Sequence, residues 1–463
     1  MRRKKSKTNE SPLYMTTRRD FLRQAAAGVA ALSLGEYKMV AMTRSARVLG
    51  ANDRLRLGVA GVNSRGLALA QGFAKMPLCD VVCICDCDLD AMARCQDAVE
   101  KVCGTRPRGE QDYRKMLEAK DIDAVAIAMP DHWHATAAIM AMRAGKHVYL
   151  EKPTSHNPAE NEMLLKAERK YSKCVVTVGT QRRSWPNCVE AIEAVRSGEI
   201  GEVRYAKSWY SAARTSIGIG KVVPVPANLN WDFWQGPAKR GPEYKDNLLH
   251  YNWHWFWHWG TGEALNNGTH FVDLLRWGLD LRYPTKVASV GGRYYFTEDD
   301  WETPDTQMIT FQFGDKASFS WEGRSCHRAP VDGSPSGVAF YGDKGLSIYM
   351  DGGNTYQIRD GKGAVIKDVK SNLTFTDGDR FNPSQKLDSF HFQNWMDTIR
   401  GKATLNATLE NGCISTQLVQ LGNIAQRVGH SLEIDPETGR IVDDPVAMQF
   451  WAREYEPGWG PKI

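Results

Sequence analysis

From Leu55 onward, short apolar runs alternate with stretches in which apolar residues recur every three or four positions. Leu55–Ala60, Val81–Asp86, Ala124–Ala128 and His147–Leu150 read as strands, and Gly66–Lys75, Asp90–Val102 and Ala135–Ala144 between them read as helices. A further unit runs from a helix over Pro158–Tyr171 to a strand over Cys174–Val178. Strands separated by helices with short connections predict a parallel, doubly wound sheet. After Gly179 the texture changes. Glu202–Tyr210, Lys286–Tyr295, Thr306–Phe313, Ala317–Gly323 and Gly337–Tyr341 read as longer strands joined by turns, the pattern of an antiparallel sheet. Two helices, near Leu387–Arg400 and Leu409–Val428, follow them. The expectation is an α/β chain: a doubly wound parallel domain over residues 51–178, then an α+β domain over 179–463 built on a large, mainly antiparallel open sheet.

At 463 residues the chain has room for two domains. With 42% apolar and 24% charged residues it can bury a core without disulfides or metals. Its charge is unevenly placed. Residues 1–50 hold eleven Lys and Arg against three acidic residues, a net +8, so the whole-chain value of +5 leaves −3 for the remainder. That mildly acidic body gives no reason to expect nucleic-acid or anionic-membrane binding. Within the basic stretch, Thr17-Arg18-Arg19-Asp20-Phe21-Leu22-Arg23 precedes a weakly apolar run from Ala25 to Leu34, too short to span a bilayer. The string resembles a twin-arginine signal, the type that exports folded proteins. Residues 1–50 are therefore expected to be a leader and linker, with Met15 as an alternative start. The Tat export machinery is then a partner, and the destination is periplasmic or otherwise extracytoplasmic, without stable membrane insertion. Cys79, Cys83, Cys85 and Cys87 crowd one apolar strand without Cys-x-x-Cys spacing. A chain that folds in a reducing cytoplasm keeps such residues as small buried hydrophobes.

Gly61-Val62-Asn63-Ser64-Arg65-Gly66 follows the first strand and opens the first helix. This is a G-x-G-x-x-G pattern with Asn63 at its second glycine. Glycines there permit a tight turn and let backbone N–H groups approach a pyrophosphate at the helix N-terminus. Asn is the residue that best tolerates left-handed backbone after glycine. Asp86 ends the second strand twenty residues after Gly66, where a carboxylate accepts from a ribose 2′-hydroxyl and repels a 2′-phosphate. The pattern predicts a Rossmann domain that binds NAD in preference to NADP.

Met129-Pro130-Asp131-His132-Trp133-His134 after the fourth strand, and Ala144-Gly145-Lys146-His147-Val148-Tyr149-Leu150-Glu151-Lys152-Pro153 around the fifth, resemble the Gfo/Idh/MocA oxidoreductase family. Gly179-Thr180-Gln181-Arg182-Arg183, Asn266-Asn267-Gly268-Thr269-His270-Phe271-Val272-Asp273 and Gly422-Asn423-Ile424-Ala425-Gln426-Arg427-Val428 extend the likeness, which covers nearly everything from residue 53. The family includes glucose–fructose oxidoreductase and inositol dehydrogenases. The resemblance implies hydride transfer between nicotinamide C4 and a sugar carbinol, with a base that reaches the hydroxyl. It assigns that work to Lys152 and His270, with Asn266 four residues ahead of the histidine where many relatives carry Asp. On this reading Lys152 favours developing alkoxide, His270 accepts the proton, and Asn266 orients the imidazole. Cofactor contacts are expected from Gly61, Asn63, Arg65, Gly66, Asp86, Pro130, His134, Glu151, Lys152 and Gln181. Substrate contacts are expected from Lys152, Arg182, Trp257 and His270. Asp273 is expected to pair with Arg276.

His250-Tyr251-Asn252-Trp253-His254-Trp255-Phe256-Trp257-His258-Trp259 is the most unusual stretch. Aromatic faces suit the C–H faces of pyranose rings, and equally suit a packed core segment. Its histidines recur every four residues, yet no metal is assigned, because hydride transfer to NAD needs none and tryptophans make a poor coordination shell. Export bears on the chemistry, since an exported enzyme meets no replenished NAD pool. The expected activity is thus NAD-dependent oxidation and reduction of a carbohydrate with a bound, internally recycled cofactor. A redox glycosidase that oxidises a carbinol transiently and cleaves by elimination is the alternative. A non-catalytic sugar or nucleotide sensor is a third, disfavoured by the presence of Lys152. A homo-oligomer is expected.

Overall fold

The computed structural model describes residues 54–371, 373 and 384–463. The leader expected over residues 1–50 lies outside the described residues. Strands β1 (Leu55–Ala60), β2 (Cys79–Cys85), β3 (Arg108–Glu110), β4 (Ala124–Ile127), β5 (His147–Leu150) and β6 (Val176–Val178) form one parallel sheet in the order β3-β2-β1-β4-β5-β6. β1 and β4 are buried almost throughout because helices cover both faces, which is why they read as continuous apolar runs. The chain order reverses between β1 and β4, and such a switch point opens a crevice at the carboxyl edge of the strands. Helix starts are set by local chemistry. Asp88 caps the helix Leu89–Cys103 by accepting from Asp90 and Ala91, and Asn157 caps Pro158–Lys170 by accepting from the Glu160 amide.

The second sheet has nine strands: β7 (Val203–Ser211), β8 (Lys286–Gly292), β9 (Thr306–Phe313), β10 (Ala317–Arg324), β11 (Ser336–Gly342), β12 (Ser347–Asp351), β13 (Tyr356–Arg359), β14 (Val365–Val369) and β15 (Leu432–Glu433). Their order is β14-β13-β12-β11-β7-β10-β9-β8-β15, antiparallel except for the β7–β10 pair. Burial alternates residue by residue along β9 and β10. Phe311, Phe319 and Trp321 turn inward against Phe271 and Leu274 of the helix Thr269–Leu279 and Leu418 of the helix Leu409–Val428. The opposite face carries Tyr205, Val290 and Met308 in the open. All ten cysteines are unpaired thiols. Among the described residues no helix is long and apolar enough to cross a membrane.

Several elements carry no pattern in the sequence. β3 is three polar residues, and β14 is exposed along most of its length, so neither shows a hydrophobic period. The helix Asp131–Arg143 begins four residues before the apolar pattern at Ala135, because His132, Trp133 and His134 are buried in its first turn. The first core also does not end at residue 178. The helix Ser384–Ile399 returns to the parallel sheet, where Phe392 stacks on Phe73 with ring centroids 4.0 Å apart and Trp395 packs against Tyr149.

His391 ties that returning helix to the end of β6. Its Nε2 donates to the Val178 carbonyl at 2.9 Å, which leaves Nδ1 to accept from the Ser184 hydroxyl at 2.7 Å. Burial pushes its pKa down to about 4. Below the ordinary imidazole value of 6.5 the unfolded chain takes up a proton that the folded chain refuses. Stability present above pH 6.5 is therefore lost as pH falls toward 4, by on the order of 3 kcal/mol for this group. Urea unfolding at stepped pH should show that decline, and His391→Gln should make it shallower by one proton.

Candidate functional site

The carboxyl edge of the first sheet faces a cavity of about 310 Å³ whose far wall comes from the second domain. Gly61 forms its floor at φ +78°, its N–H bonded to the Cys85 carbonyl at 2.9 Å. A Cβ there would lie 2.5 Å from the Met129 amide nitrogen, and one at Gly66 would lie 1.9 Å from the Gly61 carbonyl oxygen. Gly66 does not line the cavity; it lets the first helix begin this close to β1. Asn63 reaches the wall, and its side-chain oxygen accepts from Arg94 at 2.9 Å. Asp86 ends β2 with one carboxylate oxygen on the Val62 amide at 2.6 Å and the other on the Asp88 amide at 2.9 Å. Burial raises its pKa, which those amides partly offset.

A second group gathers at the ends of β4 and β5. Arg65 donates to Glu151 at 2.7 Å and to Asp388 of the returning helix at 2.6 Å. Burial opposes the Arg65 charge, yet Glu151 and Asp388 more than offset it and hold the guanidinium protonated. His134 donates from Nδ1 to the Pro153 carbonyl at 2.5 Å, and its buried Nε2 has no partner among the described residues. Lys152 reaches across to the second domain, its Nζ 2.5 Å from the carbonyl oxygen of Asn266. Burial lowers the Lys152 pKa, while Glu151 and Asp131 raise it. Asp131 itself is raised by burial and accepts from the Thr261 hydroxyl.

Asn266 lies in a π-helical turn, Ala264–Gly268, that runs into the helix carrying His270. Such turns shift the register of side chains and recur at functional sites. Lys152, Asn266 and His270 all line the cavity. The Asn266 carboxamide does not orient His270. Its Nδ2 donates to the Tyr251 hydroxyl at 3.1 Å and to Glu263 at 3.2 Å, and the His270 Nδ1 has no partner among the described residues. Burial first, then Arg182, Lys152 and Arg65, hold the His270 pKa well below 6.5, so its imidazole is neutral. His254 is held down to about 3, chiefly by burial.

Other sequence assignments fall elsewhere. Pro130, Glu151 and Gln181 line the cavity, but Arg182 and Trp257 do not. Arg182 donates to the Gly352 carbonyl at 2.8 Å and lies over the Trp185 and Phe271 rings. Trp257 sits beneath Arg427. Asp273 pairs with Arg183 through contacts of 2.7 and 2.9 Å rather than with Arg276, which bonds Ser415 and Asn411. The aromatic stretch divides. Tyr251, Trp253 and His254 face the cavity, whereas Trp255 stacks on Trp301 and Trp259 packs on Trp234. Sequence reasoning did not single out Tyr251, Asp388 or Trp459. The first sat inside the aromatic stretch, and the other two come from segments with no local motif.

The residues present fit a dinucleotide. The Gly61 cradle leaves no room for a side chain, and cavity-lining Arg65, His134 and Gln181 each keep a buried polar atom that has no partner among the described residues and can meet a ligand's donors and acceptors. The model of an oxidoreductase family with an NAD-binding Rossmann fold matches residues 55–180. The model of the C-terminal alpha/beta domain of an oxidoreductase family matches residues 214–434. A glycosyl hydrolase family 109 protein of Saccharopolyspora erythraea is 30% identical over 218 residues, 44% of this chain and 47% of that protein. An inositol 2-dehydrogenase of Salmonella paratyphi B is 30% identical over 149 residues, 32% of this chain and 43% of that protein. The chain thus spans less than half the length of these curated relatives. The fold matches an oxidoreductase domain protein from Kribbella flavida at TM-score 0.64 and 18% identity, over 82% of this chain and 99% of that one. It also matches scyllo-inositol dehydrogenase from Lactobacillus casei with bound NAD(H) and scyllo-inositol, at TM-score 0.59, 18% identity and the same coverage.

Replacing Gly61 by alanine puts an L side chain in left-handed backbone, which costs roughly 1–2 kcal/mol before the overlap with Met129 is counted. Gly61→Ala should fold with a lowered melting temperature and lose the heat of NAD binding in calorimetric titration. Parent-like NAD affinity in this variant would show that the turn is not the cradle.

Proposed function

Because the chain belongs to the Gfo/Idh/MocA oxidoreductase family, we propose that it is an NAD-dependent oxidoreductase acting on a carbinol of a sugar or sugar derivative, with the cofactor kept bound and recycled in each cycle. The observation that carries this reading is the convergence of Lys152 and His270 on one cavity floored by the Gly61 turn. Bound there, the nicotinamide supplies the hydride acceptor at its C4. Gly61 and the start of the first helix would hold the pyrophosphate, and Asp86 would take the ribose hydroxyls and disfavour a 2′-phosphate.

The rest follows from charge. As the carbinol gives up its hydroxyl proton, its oxygen becomes electron-rich, and the Lys152 ammonium, fixed by the Asn266 carbonyl, donates to that oxygen while hydride leaves the carbon. The proton needs an acceptor that is not already charged. His270 is neutral and meets that condition without a carboxylate behind it. On the return the same groups act in reverse, which suits a cofactor that never leaves. Export through the twin-arginine string at Arg18-Arg19 belongs to this reading, because a compartment without fresh NAD demands recycling. Self-association through the open face of the nine-stranded sheet belongs to it as well.

Tyr251 favours glycoside cleavage as a second reading. Its phenol oxygen accepts from Asn266 at 3.1 Å and from Arg214 at 3.2 Å, which leaves its own proton free to give. Transient oxidation of a carbinol acidifies the neighbouring C–H. A base takes that proton, the glycosidic C–O bond breaks, and Tyr251 protonates the departing oxygen. Water then adds to the alkene, and hydride return restores the alcohol.

Native mass spectrometry of the purified chain should find NAD bound. Lys152→Met should keep that NAD and lower kcat by about 10²–10⁴-fold; a variant that turns over normally removes the lysine from the mechanism. Since burial holds Lys152 below its usual 10.5, activity should fall on the alkaline side before that pH. Turnover in D2O should place deuterium beside the oxidised carbon only if elimination occurs.

A further inference from the structure

The cavity extends from Lys152, after β5, to Gln111 and Asp112, after the outermost strand β3. The carboxylate at the end of β2 fixes the adenosine half of a dinucleotide at the β3 side. That end is walled by aromatic residues from two distant segments. Phe233 and Trp234 come from the short helix Trp231–Gln235, and Trp459 comes from the segment that follows the last helix. Trp459 lies beyond residue 434, where the second family match stops.

Its placement is held on several sides. The Trp459 ring meets Trp133 edge to face, with centroids 5.4 Å apart, and Phe233 at 6.3 Å. Arg114 lies over the indole at 4.5 Å and over Phe233 at 5.4 Å, while its own charge is paired with Asp112. The segment is anchored before it arrives. Arg453 pairs with the fully buried Glu160 at 3.0 Å, and the Glu456 amide donates to Pro237 at 3.2 Å. The strand-like stretch around Leu229 is fixed in turn, because the Leu89 amide donates to Asn228 and the Asn230 amide to Cys87, both at 2.9 Å. Two chain segments with no contact in sequence thus close one end of the cavity over the tip of β2.

We propose that Trp459, with Phe233 and Arg114 beside it, is the adenine-binding wall of the cofactor site and sets how slowly the dinucleotide leaves. The inference rests on the NAD-dependent reading above. A purine is a flat, polarisable ring, and an indole held rigid at the cavity wall gains contact with it without losing further conformational freedom. A guanidinium paired away from the ring positions the wall and adds no charge for a 2′-phosphate to exploit. The nicotinamide half would sit by Lys152, after β5, away from the β3 side where this wall stands.

The test uses the full chain with its bound NAD. Exchange against deuterium-labelled NAD, followed by native mass spectrometry, reports cofactor release directly. Trp459→Ala should speed release roughly 5- to 100-fold, the range for losing one base–aromatic contact. Trp459→Phe should restore most of the retention. ADP-ribose and nicotinamide mononucleotide serve as half-ligand probes in titration: Trp459→Ala should weaken the first by the same factor and leave the second unchanged. Parent-like exchange in Trp459→Ala, or equal weakening of both halves, overturns the proposal. A parent chain that carries no dinucleotide and takes up none when NAD is added fails the NAD-dependent reading itself, and is recognised before any variant is made.

Discussion

Lys152 leaves the end of β5 and places its ammonium 2.5 Å from the backbone carbonyl of Asn266, in the other domain. A buried cation has to find acceptors and counter-charges, because desolvation otherwise drives it neutral. Here the acceptor is that carbonyl, and the counter-charges are Glu151 and Asp131. Glu151 is itself held by Arg65, which a carboxylate on the returning helix, Asp388, holds in turn. The chain of contacts couples the glycine turn, the end of β5, the π-helical turn and the helix Ser384–Ile399. Removing any one member leaves a buried charge without its partner, so the geometry of the site and the joining of the two domains are one problem.

Electrostatics then decides which groups can exchange protons. Burial keeps the imidazoles of His254 and His270 neutral, and the cations Lys152, Arg65 and Arg182 add to that effect on His270. A neutral imidazole and a fixed ammonium line the same cavity, and in the proposed reaction the first would receive a proton while the second stabilises the oxygen that loses it. Tyr251 lines the same cavity and accepts from two donors, Asn266 and Arg214. Sequence reasoning had relied on His270 titrating near neutrality, and burial together with Arg182, Lys152 and Arg65 moves it well below that range.

The second organising feature is enclosure. Hydride transfer and carbanion-like intermediates both suffer from water, and both gain from a cavity whose dipoles are fixed beforehand. The aromatic residues that surround this cavity differ in kind. Some, such as Trp255 on Trp301, are core and stiffen the wall from behind. Others, such as Trp253 and Trp459, form the wall itself. The same residue type serves both ends because indole combines a large apolar area with an edge that can donate.

The doubly wound first domain was legible because each of its elements has its own period. Buried parallel strands are apolar throughout, and the Gly61–Gly66 spacing is imposed by steric limits at one tight turn. The switch from parallel to antiparallel strands after residue 179 was legible for the same reason, since β9 and β10 alternate with the pleat. β3 and β14 were not legible, because their pairing comes from neighbours and leaves no hydrophobic period in their own residues. Within the site, Lys152 and His270 could be named from local motifs. The partner of Asp273, the burial of Arg182 beneath Gly352 and the arrival of Asp388 and Trp459 could not. Sequence by itself determined the parallel and antiparallel sheets and picked out Lys152 and His270, which the fold brings to one cavity. Only the tertiary structure decided which carboxylate meets which guanidinium and which tryptophan faces a cavity, because those outcomes depend on segments hundreds of residues apart competing to satisfy the same buried charges.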